Sequence, residues 1–426
     1  MSGFDLAAGF LVLIAATGWV NVRWFRLPTA SAMLFTGLTS GAILLLFQSR
    51  SLQHDAFSDL LQAIRGLDFP RAVLGYLLAF LLFAGSTQVD LVELRRRFLA
   101  VGVLATLGVA ACTAIVSLGL WLGARLLGLP LGLRWAFVFG ALISPTDPIA
   151  VLAAVRDGKL SKSLEAVLQG EALLNDGVGI VVFSAALAFA VQGHSISAMP
   201  ILVQIAVQAL GGLALGAALG LGAIRAIRSI NDYPIEVTIT LALAMGSYSL
   251  AQALGVSGPL AVVAAGLLVG DRGLRTAMSE TSQRYVRGFW TLVDEILNAL
   301  LFLLLGLELL VIPLNLRLAG FWGLAIVLVV AARCVVVFPW GLHFDHTEQR
   351  RGAAALLSWG GLHGALSLAL ALSLPAGEPK SLLLPTTFAV VLFSILIQGT
   401  TFAPIAKRLA VARAEEPPEV EQGQLG

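Results

Sequence analysis

Two aspartates stand inside long apolar stretches of this sequence. Asp147 lies in Ser144-Pro145-Thr146-Asp147-Pro148, and Asp176 lies in Glu171-Ala172-Leu173-Leu174-Asn175-Asp176-Gly177. A carboxylate at bilayer depth costs about 2.5–3.5 kcal/mol on insertion scales, so an ionisable residue there points to an ion or proton pathway. Carboxylates, the Thr146 hydroxyl and freed backbone carbonyls are hard oxygen ligands that suit a cation such as Na⁺. A carboxyl group that holds either a proton or a cation sets the two in competition, which is the simplest basis for exchange. Asp147 and Asp176 are therefore the candidate cation ligands. Asp147 has a second reading as a cap for backbone amides at a helix break.

Glu171 and Arg333 form a second candidate set. Arg333 is the one basic residue placed mid-segment, and a buried arginine requires a partner. Glu171 is the expected one, as a salt bridge holding two central helices together. His363 lies in Gly360-Gly361-Leu362-His363-Gly364. It is read either as a pH-responsive group or as a neutral ring donating to a carbonyl freed by the break. Asn298 is expected to bond across helices. Ser257-Gly258-Pro259 reads as a helix start, and Asp294 and Glu295 read as surface charges. His343, Asp345 and His346 read as a solvated loop.

The elements that carry these residues are membrane spans. The chain has 426 residues, of which 58% are hydrophobic and 12% charged, and its mean hydropathy is +0.90. Soluble domains hold about 25% charged residues, so this is an integral membrane protein. Cys112 and Cys334 sit in apolar runs and read as small buried hydrophobes rather than a disulfide or metal pair. Apolar runs of spanning length predict thirteen helices, over 6–22, 28–47, 70–88, 98–124, 131–154, 162–191, 198–225, 234–252, 256–270, 286–311, 316–340, 351–374 and 382–406. The first is read as a retained helix rather than a signal peptide. Residues 1–413 form one polytopic domain. Residues 414–426, with Glu415, Glu416, Pro417, Pro418, Glu419 and Glu421, read as a short disordered tail.

Charge sets the orientation. Of the 27 Lys and Arg residues, nineteen follow odd-numbered segments and seven follow even-numbered ones. The positive-inside rule then places the N-terminus outside and the C-terminus in the cytoplasm of a cell (inner) membrane. The fifth segment is interrupted by Pro145 and Pro148, and the twelfth by its glycines. Seven segments apart, the two run in opposite directions. Paired interruptions in inverted halves point to a transport site at the midplane, where irregular backbone is tolerated only when buried in protein or lining a cavity.

Several motifs together resemble one family. Thr146-Asp147-Pro148, Glu171 followed by Asn175-Asp176-Gly177, and Arg333 are similar to the sodium/proton exchangers of the NhaP kind, within the monovalent cation:proton antiporters. So are Asp90-Leu91-Val92-Glu93-Leu94-Arg95-Arg96, Ser257-Gly258-Pro259-Leu260-Ala261-Val262 and Trp359-Gly360-Gly361-Leu362 with Gly364-Ala365. The resemblance implies an all-α membrane fold of thirteen helices with inverted six-helix repeats, whose two interrupted helices cross at the midplane. It also implies a homodimer, elevator-like alternating access and electroneutral exchange of one cation for one proton. Asp176 would be the shared cation and proton site, lined by Asp147 and Thr146 and oriented by Asn175. Glu171 with Arg333 would be the structural ion pair. Three positions depart from the family pattern: His363 stands where many relatives have arginine, Ala84 where many have an acid, and Ala172 where some have serine. The cation, Na⁺, Li⁺ or K⁺, stays open.

No enzymatic role, resident cofactor or nucleic-acid partner is expected; the partners are cation, proton and membrane lipid. Two other functions compete. An intramembrane aspartyl protease also uses two buried carboxylates, but its Gly-x-Gly-Asp pattern is missing at Asp176, which follows Leu173-Leu174-Asn175. A membrane sensor would bind cation or respond to pH without carrying an ion.

Overall fold

The computed structural model describes residues 3–49, 68–147, 162–192, 198–308, 312, 315–344 and 350–409. Pro148, residues 148–154 of the fifth predicted segment, Asp345, His346 and the tail 414–426 lie outside them. The described residues are helical almost throughout, as an apolar environment requires, because a helix satisfies its own backbone donors and acceptors.

The helices used below are α1 (Gly3–Val20), α2 (Thr29–Ser49), α3 (Leu78–Gln88), α4 (Leu91–Arg96), α5 (Val109–Leu126), α6 (Leu133–Ile143), α7 (Lys162–Gln192) and α8 (Ala198–Arg228). They continue as α9 (Tyr233–Ala253), α10 (Gly258–Leu268), α11 (Glu280–Leu307), α12 (Ala319–Phe344), α13 (Arg350–Trp359), α14 (Ala365–Leu372), α15 (Glu378–Phe393) and α16 (Gly399–Arg408). A π-helical turn, Ser394–Gln398, joins α15 to α16.

Among the described residues, nine helices are long and apolar enough to cross a membrane. The second predicted segment is helical too, as α2, and the fifth, ninth and twelfth are helical but shorter or interrupted. Breaks in the fifth and twelfth explain part of that difference, since α6, α13 and α14 each fall short of the bilayer thickness.

Local chemistry fixes the helix starts. Ser257 caps α10, its hydroxyl accepting from Leu260 N at 3.4 Å, with Pro259 in the first turn; the Ser-Gly-Pro start signal is found where the sequence puts it. Asp90 caps α4 through Val92 N at 2.9 Å. This short helix has no counterpart among the predicted segments. Its Leu94 packs against Gly170 of α7, so it ties α3 to α7 across one end of the bundle.

Close packing without water rests on small residues. Gly212, Gly216 and Gly220 of α8 lie directly on Ser257, Ala261 and Ala265 at the start and along the length of α10. Gly37 of α2 and Gly306 of α11 touch backbone to backbone. Two apolar cores result. One is built from α5, α6, α12, α14 and α15 around Phe139, Phe321 and Phe388. The other packs α3, α10 and α11 against α7 around Phe83 and Trp290.

Candidate cation site at a helix crossing

The two predicted interruptions meet. α6 stops at Ile143, and Pro145 offers no N–H with which to continue the ladder. Ser144 Oγ instead bonds Gly140 O at 2.6 Å and the Thr113 hydroxyl at 2.7 Å, which satisfies part of the helix end. α13 stops at Trp359, and α14 starts at Ala365. Between these breaks, Asp147 and Leu362 form an isolated antiparallel bridge, with Asp147 N donating to Leu362 O at 2.7 Å. Two extended pieces from distant parts of the chain thus share one hydrogen-bonded crossing.

Glycine makes room at this crossing. A side chain at Gly364 would overlap the Asp147 carboxylate, and one at Gly361 would overlap the Arg333 guanidinium. The Asp147 carboxylate therefore lies against Gly364, the N-cap of α14, where partial positive charge gathers. Arg333 Nη2 donates to Leu357 O at 3.3 Å, in the last turn of α13, where partial negative charge gathers. Each half-helix end meets a charge of opposite sign.

α7 passes beside the crossing unbroken. Asn175 Nδ2 donates to Thr146 Oγ1 at 2.7 Å, and Thr146 N donates back to Asn175 Oδ1 at 3.3 Å. Both residues are buried, Asn175 at 0% and Thr146 at 4% exposure. Asp176 and Asp147 are half-buried. Gly179, four residues after Asn175 and on the same side of α7, lies on the Pro145 ring, while Gly177 on another side lies on Leu260 of α10, so α7 is closely packed both on the break and on α10. Of these glycines only Gly179 was not singled out in the sequence; its spacing from Asn175 carries the signal, since a small residue on that side of α7 allows close approach.

Arg333 of α12 and Glu171 of α7 form a forked ion pair. Nη1 donates to Oε1, and Nη2 donates to Oε2 at 2.8 Å. Both side chains are buried. His363 Nδ1 lies 3.1 Å from Pro145 O. A carbonyl only accepts, so Nδ1 carries the proton. The His363 backbone N–H goes to Ser394 Oγ at 2.8 Å.

Other expectations are corrected. Asp294 is buried, not a surface charge, while Glu295 is exposed. Asn298 bonds Asp294 Oδ1 within α11 at 2.9 Å rather than reaching across helices. The run around Asp294 is amphipathic, so one carboxylate faces inward and its neighbour outward. Cys334 is exposed on the outer side of α12, and Cys112 is half-buried. Glu236 of α9 is fully buried and was missed. Its Oε1 accepts from Asp232 N at 3.3 Å, one half of a capping arrangement whose Asp-x-x-x-Glu spacing is visible in the sequence.

The crossing gathers two carboxylates, a hydroxyl and irregular backbone within one protein-walled region. Those are the ligands an unhydrated monovalent cation requires. Among the described residues no group of three or more His, Cys, Asp or Glu side chains could hold a metal ion, so any cation here would lean on the two carboxylates and neutral oxygens.

Residues 10–408 match the family model described as sodium/hydrogen exchanger, transmembrane. The chain is 38% identical to the Na⁺/H⁺ antiporter NhaP of Pseudomonas aeruginosa, over 97% of this chain and 99% of that protein. It is 33% identical to the Na⁺/H⁺ antiporter NhaH of Halobacillus aidingensis, over 97% of this chain and all of that one. Its fold is similar to that of the sodium proton antiporter MjNhaP1 from Methanocaldococcus jannaschii, solved at pH 8, with a TM-score of 0.72 at 20% identity, covering 96% of this chain and 98% of that one.

Proposed function

The chain belongs to the sodium/hydrogen exchanger family, and we propose that it exchanges a monovalent cation for a proton at Asp176, one for one. The observation that supports this reading is the joining of the Asp147–Leu362 bridge to the Asn175–Thr146 clasp, with Asp176 next to Asn175 in α7. Asp176 binds either the proton or the cation. Asp147, set against the N-terminus of α14, keeps its negative charge throughout. Thr146 contributes a neutral oxygen, and Asn175 fixes where that oxygen stands. Glu171 and Arg333 hold α7 to α12 and take no part in binding. His363 serves as a hydrogen-bond donor at the break.

The larger frame follows the same reading. Thirteen crossings in two inverted six-helix repeats carry the site, the N-terminus lies outside and the C-terminus in the cytoplasm of the cell membrane, and two copies pair as a homodimer. The crossing is exposed to one side of the membrane at a time, and no resident cofactor takes part. Na⁺ is the favoured cation, with Li⁺ and K⁺ as alternatives.

The test is proton flux in proteoliposomes to which Na⁺, Li⁺ and K⁺ are added in turn. Wild-type protein is expected to move protons on cation addition. Asp176→Asn keeps the shape but cannot release a proton, and it is expected to fold and to show no exchange. Coupled flux in that variant would remove Asp176 from its role.

A further inference from the structure

The crossing is gripped by a third element that the sequence did not mark. In the π-helical turn Ser394–Gln398, both Ser394 and Gln398 are buried, at 0% and 3% exposure. Ser394 Oγ accepts from His363 N at 2.8 Å and donates to Gln398 Oε1 at 2.8 Å. Gln398 Nε2 points to Trp359 O at 3.5 Å, the last carbonyl of α13. Trp359 Nε1 donates to Thr401 Oγ1 at 3.1 Å, and Gly360 rests on the Phe402 ring. This turn and α16 therefore hold both ends of the Trp359–His363 segment, at Trp359 and Gly360 and at His363.

The unwound segment has few other ways to be fixed. Between α13 and α14 its backbone donors and acceptors leave the helical ladder, and in a membrane they need protein partners. Leu362 O takes Asp147 N, the His363 ring takes Pro145 O, and Ser394 takes His363 N. π-helical turns recur at functional sites. In this one, Ser394 and Gln398 are four residues apart and bonded side chain to side chain.

We propose that Ser394, Gln398 and His363 act together as a clamp that positions Asp147 and Thr146 for the cation. Ser394 and Gln398 set the height of the 360–364 segment, and His363 transmits that height to Pro145, two residues before Asp147. They are positioning residues, since none of them is among the oxygens proposed to hold the ion. The inference rests on the exchange reading above. It goes beyond that reading by giving the last helix pair a share in cation affinity.

The clamp is tested in proteoliposomes by measuring the apparent KM for Na⁺, the maximal exchange rate and Tm in detergent. Ser394→Ala and Gln398→Ala are expected to raise KM about threefold to tenfold, the worth of one buried hydrogen bond, with the maximal rate within about twofold of wild type by the same measure. His363→Leu, which loses the donor, is expected to do the same. His363→Asn, whose amide can still reach Pro145 O, is expected to restore most of the affinity. A merely structural role would lower Tm and maximal rate while leaving KM unchanged, and that pattern overturns the clamp. So does a wild-type KM in the His363→Leu variant. If Ser394→Ala fails to fold, Gln398→Ala and the two His363 variants decide the matter. A wild type without flux would sink the exchange reading instead. The clamp is then judged on the rise in Tm caused by Na⁺, which the clamp variants must reduce and His363→Asn must preserve.

Discussion

Arg333 shows how much one side chain can hold. Its guanidinium meets both Glu171 oxygens and the end of α13, and Gly361 lies flat on it. Removing one partner of a buried ion pair costs about 3–5 kcal/mol, because the remaining charge is left without compensation. Arg333→Ala is therefore expected to lower Tm in detergent well below that of Asp176→Asn, which leaves the pair intact. Equal melting of the two variants would mean that Glu171 finds another cation. The ion pair could be anticipated from the sequence, because a lone arginine in an apolar run has few affordable arrangements. The fate of Asp294 could not. Its neighbour Glu295 is exposed, and only the rotation of α11 about its axis decides which of the two points inward.

At the level of elements, the breaks were legible and the family resemblance implied that they cross, but the bond that joins them was not legible. Pro145 and the glycines of 360–364 announce where helices must stop. No local rule says that Asp147 will bond to Leu362, since that bridge depends on the packing of α6, α12 and α14 around one core. The partners of the break on the last helix were hidden for a related reason: Ser394 and Gln398 look like ordinary polar residues until the π-helical turn aims them. Gly364 illustrates the coupling between these elements. A methyl group there overlaps the Asp147 carboxylate, so Gly364→Ala must push that charge away from the start of α14. The expected result is an apparent Na⁺ KM raised by about tenfold or more, from the lost charge–dipole contact and displaced ligand. Unchanged affinity in flux assays would show that Asp147 lies elsewhere when the cation is bound.

For the molecule as a whole, the balance of charge decides what drives transport. On the proposed exchange, Asp176 alternates between one proton and one monovalent cation, with Asn175 in the place of a second titrating acid, so that no net charge would cross the membrane in a cycle. Exchange in proteoliposomes is accordingly expected to run at the same rate whether or not a potassium–valinomycin potential is imposed. Acceleration by voltage, or a measurable current, would require a second proton per cation, with Asp147 or His363 as its carrier.

The crossing also bears on how the chain is made. Its tie between His363 and Pro145 joins residues 218 positions apart. A ribosome adding about 5–20 residues per second needs roughly 10–45 seconds to cover that distance. Throughout that interval the Ser144–Asp147 strand is already synthesised while its partner is not. Newly inserted chains therefore lack the late partners of Asp147 N and Pro145 O until the 362–363 segment emerges, although Thr146 can already meet Asn175. The proposed cation site is thus a region whose hydrogen bonds are completed late in synthesis, after the chain has passed His363.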